Sequence, residues 1–556
     1  DYRGVKFNIA SYLPYMAARP EFMHKRAVVF PESRDASGRV TYSHLTFAQL
    51  DRECDRYADG LAKLGLKKGT RTLLMLRPGL EFITLAFSLF KIGAVPIMID
   101  PGMGRLNLLN CVAEVEPEAV IGIPLAHAVR SIFRKYFKSV KYNITAGKRW
   151  FWGGLTLETI RSRGRAPYQY CETLASDPAA ILFTTGSTGP AKGVLYEHSM
   201  FGAQVELLKK AYGFNENEIE LPAFPLFALF NVALGITCVI PDMDPTKPAQ
   251  VNPERIIEAV ENQGITNTFG SPAIWNRVSE YCNAKNIKLG PVKRILIAGA
   301  PVSGELIGRV KAMLSDGGDV HTPYGATESL PLCSISGAEI TGDTWPKSRE
   351  GAGYCVGKPI EGIEVRIMKI IDGPVAKWDE ALELKRGEIG EIVVSGPVVT
   401  REYFRNPKAT ALAKIADNGR TWHRMGDAGY LDEKGRLWFC GRKNHRVVRG
   451  ARTYYSIRCE AIFNGHPDVF RSALAGVGVA PEQVPVIVIE PKPGRFPKTE
   501  NEKKKFADEL LEMGRKSDLT SDIEKVLFIE KMPVDIRHNA KIFREKLSAW
   551  AGEVIK

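Results

Sequence analysis

Between residues 182 and 194 the chain reads Leu-Phe-Thr-Thr-Gly-Ser-Thr-Gly-Pro-Ala-Lys-Gly-Val. Three glycines, four hydroxyls and one lysine follow a short apolar run, Ala179 to Phe183, whose composition predicts a strand. Glycines let backbone amides turn inward. The hydroxyls of Thr184, Thr185, Ser187 and Thr188 and the ammonium of Lys192 add donors, so Thr184 to Gly193, with Gly186 and Gly189 inside it, can wrap a polyphosphate. The spacing is not that of a Walker loop, and no Gly-x-Gly-x-x-Gly dinucleotide fingerprint is present.

A second group of chemistry-bearing residues runs from His321 to Glu328, with Tyr324, Gly325, Thr327 and Glu328 at its end. A tyrosine ring can stack on a base, a threonine can reach a phosphate, and a carboxylate can hold Mg²⁺. Further along stand Gly299-Ala300-Pro301, Met425-Gly426-Asp427, Gly441-Arg442 and, near the end, Asn539-Ala540-Lys541.

In this order the motifs resemble those of the adenylate-forming superfamily, which includes acyl-CoA synthetases, luciferases and peptide-synthetase adenylation domains. The resemblance spans roughly residues 40 to 545. It implies a large layered α/β N-terminal domain over 1–442 and a small, mobile α+β lid domain over 443–556. It also implies ATP and Mg²⁺ as cofactors, and attack of a substrate carboxylate on the α-phosphate of ATP to give an acyl-adenylate and pyrophosphate. On that resemblance Glu328 holds the metal, and Gly299, Ala300 and Pro301 lie beside the adenine. Asp427 takes the ribose hydroxyls, Arg442 opens the hinge, and Lys541 is the catalytic lysine, with Thr185 in the phosphate loop.

Several positions depart from the family pattern. Ala191 precedes the loop lysine where proline is usual, Met425 replaces a threonine, and Ala540 replaces a glycine. Asn444 stands where the hinge usually carries Asp or Lys. Ala228 follows Pro225-Leu226-Phe227 where many acyl-CoA synthetases have a histidine. The last two differences point away from CoA as acceptor. The segment Phe224 to Asn231 and the run Arg537 to Lys541 resemble the lactone-forming branch of bacterial long-chain olefin biosynthesis. There the implied substrate is a 2-alkyl-3-hydroxy fatty acid whose own hydroxyl attacks the activated acyl carbon. Phe227, Ala228, Phe230 and Asn231 are then expected to line the acyl pocket, and other enzymes of the hydrocarbon pathway are possible partners. Candidate bases for the hydroxyl are His198, His445 and His538. The alternatives are a long-chain acyl-CoA or acyl-AMP ligase and, in another class, a non-catalytic adenylate-binding scaffold.

The elements that must position these groups are legible in outline. Thr46 and Gln49 form a capping box, after which Leu50, Cys54, Tyr57, Leu61 and Leu64 line one helical face that Gly65 stops. A strand over 71–77, a helix over about 81–91 and a strand over 95–99 predict a parallel α/β unit. Arg294 to Ile297 reads as another strand.

The 556 residues exceed one simple core, and a hydrophobic share of 44% with 25% charged residues is ordinary for a globular chain. Nine scattered cysteines without a Cys-x-x-Cys pair predict reduced thiols and a cytoplasmic setting. Asp1 to Ala18 lack the apolar run of a signal peptide. The formal charge of +13 suits anionic partners such as nucleotides, acidic lipid surfaces or an acidic protein; no nucleic-acid motif accompanies it. Leu221 to Pro241 is uncharged and long enough to span a bilayer. Pro222, Pro225, Asn231 and Gly235 interrupt it, so buried core or pocket lining is expected. Lys148-Arg149-Trp150-Phe151-Trp152 allows a peripheral membrane anchor, although a surface strand with its rings packed inward is the expectation. Arg442 to Arg458 carries six basic residues and no acid; a partner-facing surface and a solvated face are both open.

Overall fold

The computed structural model describes residues 4–184, 190–534 and 542–555. The capping box forms as expected: the Gln49 amide donates to Thr46 Oγ1 at 3.2 Å and the Thr46 amide to Gln49 Oε1 at 2.9 Å. The helix Phe47–Leu64 follows, and Gly65 ends it in the left-handed region at φ 116°, where glycine carries no steric penalty. Leu50, Cys54, Tyr57 and Leu61 are buried, while Leu64 is half-buried. Against it packs the helix Leu80–Lys91, apolar nearly all round because it is covered on every side. Lys91 at its end is buried, and its ammonium sits between Asp51, at 2.5 Å, and Asp55 of the first helix. A cation taken out of water needs such partners.

These helices cover a seven-stranded sheet in the order Leu155–Thr156, Tyr142–Thr145, Ala119–Gly122, Arg71–Met75, Val95–Ile99, Pro178–Thr184, Lys192–Glu197. All neighbours are parallel except the last pair. The predicted strand–helix–strand unit is therefore present, with Arg71 opposite Val95.

A second sheet of fourteen strands is parallel in one half and antiparallel in the other. The parallel half includes Ile219–Pro222, Asn267–Gly270, Arg294–Ile297 and Asp319–Ala326. The antiparallel half runs through Ser329–Ser336, Tyr354–Pro359, Leu437–Arg442, Arg420–Leu431 and Gly390–Ser395. One buried apolar cluster joins the two sheets. It takes Phe47, Phe87 and Phe90 from the first and Ala228, Leu229 and Val232 from the second. The uncharged stretch 221–241 becomes the end of a strand, the helix Phe227–Leu234 and the strand Thr237–Val239. Among the described residues no helix is long and apolar enough to cross a membrane.

After Arg442 a 3-10 turn, Lys443–His445, leads into a smaller α+β body. It comprises a three-stranded sheet, Val469–Val477, Val484–Pro491 and Lys525–Phe528, with the helices Ser456–Asn464, Glu500–Arg515 and Arg544–Val554. It has its own cores, one around Phe463, Leu474 and Ile487 and another around Ala473, Val488 and Leu547.

Two expectations change on folding. Lys148 to Trp152 forms no strand; it lies in a loop between Tyr142–Thr145 and Leu155–Thr156. Gly147, Gly153 and Gly154, at φ 95°, 74° and 81°, bend that loop out of any ladder. Two of its three rings face outward, with only Trp152 turned in. In the basic run 442–458, other segments supply acids to four of the six residues. Arg442 meets Asp427, Lys443 meets Glu391, Arg446 meets Asp372 and Arg452 meets Asp522. Arg458 Nε donates to the Gly351 carbonyl at 2.7 Å.

Candidate active site

Tyr324 to Glu328 form the tip of a hairpin. The strand Asp319–Ala326 turns through Thr327 and Glu328 into Ser329–Ser336, with Ala326 opposite Ser329. Gly325 is required there, since a Cβ on it would stand 2.8 Å from the Ser329 carbonyl oxygen. Two fixtures hold Glu328. Its carbonyl accepts from the Thr400 amide at 2.9 Å and from Thr400 Oγ1 at 3.0 Å. Its carboxylate Oε1 accepts from the Tyr403 hydroxyl at 2.7 Å. Burial and the neighbouring carboxylate push the Tyr403 phenol far above its usual range, so it stays a donor.

The same tyrosine ties in the loop lysine. Val194 and Tyr403 form a bridge, and the Phe404 amide donates to the Gly193 carbonyl at 2.7 Å. Lys192 Nζ then lies 5.1 Å from the centre of the Tyr403 ring, a cation–π distance. On the same strand the Tyr196 hydroxyl donates to the Thr327 carbonyl. Thr184, the last residue of the incoming strand, pairs with Lys192 across the loop. Thr185, Gly186, Ser187, Thr188 and Gly189 lie outside the described residues, as do His538 and Lys541.

Asp427 lies on the strand Arg420–Leu431 opposite Arg442. It is buried, and both carboxylate oxygens have donors: Tyr324 Oη at 2.5 Å to Oδ2 and Arg442 Nη1 at 2.6 Å to Oδ1. Arg442 also donates to the Met425 carbonyl at 3.2 Å. The carboxylate raises the Arg442 guanidinium above its usual range, and burial with the same carboxylate raises the Tyr324 phenol. Gly299, Ala300 and Pro301 follow the strand Arg294–Ile297, whose Leu296 pairs in parallel with His321. Three residues beyond that pair, Gly299 and Tyr324 share one sheet edge.

Lys414 belongs to this neighbourhood and was not anticipated. Its ammonium is buried, donates to Thr400 Oγ1 at 3.2 Å and lies 6.0 Å from the Tyr403 ring centre. Burial pulls it down to about 7 against the opposing pull of Glu328. The only signal in the sequence is a lysine inside the apolar run Ala411 to Ala416. Opposite it on the paired strand is His423, held well below its usual range by burial.

The helix Phe227–Leu234 carries the expected acyl-pocket residues. Phe227 stacks on Phe269 with centroids 3.9 Å apart, and Phe230 on Phe201 at 4.8 Å. Ala228 and Asn231 are each 1% exposed. Asn231 faces Glu220, whose carboxyl accepts from Asn267 Nδ2 at 2.5 Å and is pushed up to about 7 by burial.

Of the candidate bases, His198 is a core residue. Its Nδ1 accepts the Ile9 amide at 3.1 Å, and its ring lies edge-on to Phe90. Burial pushes it down to about 4, and His445 in the 3-10 turn after Arg442 down to about 3. Both fold as neutral rings, so their contribution is fully present above the unfolded value near 6.5. It fades as pH falls toward 4 and then 3. For His198 alone the loss approaches about 3 kcal/mol. His198→Asn keeps an acceptor for the Ile9 amide but removes the titration. Thermal melts of the two proteins should therefore converge as pH drops from 7 to 4; parallel curves would exclude His198 as a source of acid lability.

The family described as AMP-binding enzyme matches residues 17–404. Over 558 residues the chain is 43% identical to the olefin beta-lactone synthetase of Xanthomonas campestris pv. campestris, covering 98% of each. It is equally similar, 43% over 554 residues and 98% of each, to the olefin beta-lactone synthetase of Stenotrophomonas maltophilia. Among solved structures, the anthranilate CoA ligase AuaEII in complex with anthranoyl-AMP superposes with a TM-score of 0.79 at 19% identity, over 99% of this chain and 98% of that one.

Proposed function

The chain belongs to the AMP-binding enzyme family, and from that premise we propose that it activates a 2-alkyl-3-hydroxy fatty acid with ATP and closes it to a β-lactone. The observation that carries this reading is the 43% identity, over 98% of both chains, to two olefin β-lactone synthetases. In the first step a carboxylate oxygen of the substrate attacks the α-phosphorus, and the bond to pyrophosphate breaks. In the second, the 3-hydroxyl oxygen attacks the acyl carbon, AMP leaves with the shared oxygen, and the hydroxyl proton is lost. The second nucleophile is already tethered to its target, so its effective concentration is high without a carrier site.

We assign the roles as follows. Residues 184–189 and Lys192 surround the phosphates, with Thr185 and Thr327 donating to them. Gly299, Ala300, Pro301 and the Tyr324–Gly325 segment border the adenine, Asp427 takes the ribose hydroxyls, and Arg442 supports Asp427. Lys541, on a lid domain over 443–556, neutralises charge between the carboxylate and the α-phosphate. Phe227, Ala228, Phe230 and Asn231 shape the acyl side of the domain over 1–442. The nine free cysteines suit a reducing, cytoplasmic compartment.

Glu328 suits Mg²⁺. Among the described residues no three His, Cys, Asp or Glu side chains converge. A single carboxylate with phosphate oxygens and water is the donor set that magnesium favours. When bound, the ion neutralises phosphate charge. Tyr403 and Thr400 keep the Glu328 carboxylate and backbone aimed at that place.

Incubation of the purified protein with ATP, Mg²⁺ and a 2-alkyl-3-hydroxy acid, without CoA, tests the proposal by proton NMR of the organic product. A β-lactone with one AMP and one pyrophosphate per turnover is expected. A thioester that forms only when CoA is added would overturn it in favour of an acyl-CoA ligase.

A further inference from the structure

Residues 119–157 contain seven lysines and arginines and no aspartate or glutamate. Among the described residues only Lys141 of these seven approaches a carboxylate, Glu118 at 3.8 Å. Among the described residues the other six have no carboxylate at ion-pair distance, unlike most of the basic run 442–458. The same segment exposes four large apolar side chains: Leu125 at 67%, Ile132 at 74%, Trp150 at 58% and Phe151 at 77%. Leu125 and Ile132 lie seven residues apart on the helix Pro124–Ile132 and so share its outer face.

Trp150 and Phe151 are presented on a braced loop. Trp152 between them and the sheet stacks on His127 of that helix, with centroids 5.7 Å apart and planes at 18°. Its Nε1 donates to Thr145 Oγ1 at 3.0 Å, and Trp150 and Phe151 rest against it at 5.2 and 5.3 Å. His127 is itself buried, with Nε2 2.8 Å from the Ile144 carbonyl. Gly154 seals the base of the loop, where a Cβ would stand 2.1 Å from the Asn143 carbonyl oxygen.

The position of this patch follows from topology. The strands Tyr142–Thr145, Ala119–Gly122, Arg71–Met75, Val95–Ile99 and Pro178–Thr184 are neighbours in that order and all parallel. Their carboxyl ends emerge on one edge. The Trp150 loop follows the first of them, and the last, which ends at Thr184, lies four strand spacings or about 19 Å away.

We propose that Leu125, Ile132, Trp150 and Phe151, with Arg130, Lys148 and Arg149 on the same helix and loop, dock the protein on an anionic lipid bilayer. Aromatic rings at a braced tip sit at the depth of headgroups and upper acyl chains, and lysines and arginines beside them meet the lipid phosphates. An acidic protein would satisfy the charges. Two outward rings and two outward aliphatic side chains, with Lys148 and Arg149 in the same loop and Arg130 on the same helix, fit the layered chemistry of a bilayer surface better. If the substrate is a long-chain hydroxy acid, as proposed above, this docking sets the reacting edge of the sheet beside the phase in which such an acid dissolves.

Cosedimentation of the full chain with vesicles tests the idea, whatever the reaction. Binding to phosphatidylglycerol–phosphatidylcholine vesicles should exceed binding to pure phosphatidylcholine by about tenfold and fall with added salt. Trp150→Ser with Phe151→Ser, and separately Lys148→Gln with Arg149→Gln, should each weaken it several-fold and leave ATP-dependent pyrophosphate release on detergent-dispersed substrate unchanged. Equal binding to both vesicle types, no binding, or unchanged binding in both double variants would overturn the proposal. So would a stoichiometric complex with an acidic protein that the same substitutions abolish while vesicles do not bind.

Discussion

Lys541→Ala should slow formation of the acyl-adenylate by about 10²–10³-fold while leaving ATP affinity nearly unchanged. The reasoning is electrostatic. A substrate carboxylate must approach an α-phosphate that already carries negative charge, and charge accumulates as the two oxygens share the phosphorus. A cation placed between them is worth most at that moment and least in the ground-state ATP complex, where other groups already hold the phosphates. Single-turnover adenylation with excess enzyme, beside equilibrium ATP binding, separates the two effects. A large loss of ATP affinity with an unchanged adenylation rate would assign Lys541 to binding instead. The ring-closing step, measured from preformed acyl-adenylate, should respond less, because its nucleophile is neutral until it attacks.

Asp427→Asn should raise KM for ATP by about 10–100-fold, the worth of charge-assisted hydrogen bonds to ribose hydroxyls. This carboxylate is also structural. Both oxygens accept from Tyr324 and Arg442, so the substitution leaves a half-buried guanidinium without its counter-charge. Stability therefore falls as well, and the two roles need separating. Tyr324→Phe removes one hydrogen bond at 2.5 Å and keeps the ion pair. It should cost little stability and shift ATP binding far less than Asp427→Asn does. If Asp427→Asn lowers the melting temperature but leaves KM for ATP unchanged at a temperature where the variant is folded, Asp427 does not touch the ribose.

Some of the candidate site was legible because its members are close in sequence. The hydroxyls, glycines and lysine of the loop lie within a dozen residues, and Tyr324 to Glu328 lie within five. Backbone geometry relates such residues whatever the rest of the chain does, so residue type and spacing carry the information. The same holds for the Thr46 capping box and the Gly65 stop, each decided within a few residues of the helix end. Lys414 was not legible. It enters through a cross-strand pair with His423 and through Thr400, fourteen residues away, and nothing local marks it. Tyr403 links Lys192 to Glu328 only in the fold, since it stands 211 residues from the one and 75 from the other.

The basic run 442–458 and the segment 119–157 show the division most clearly. Each is a cluster of lysines and arginines without acids, and from sequence the two look alike. Folding brings Asp427, Glu391, Asp372 and Asp522 to the first and leaves the second largely without carboxylates among the described residues. Sequence by itself determined a parallel α/β unit and the ordered motifs that place the chain in its family, because these are matters of local pattern. Which charges are neutralised, which rings face out and which carboxylate is braced for use were decided only by the tertiary structure. Coulombic partners and burial depend on distance in space, and residues far apart in sequence supply them.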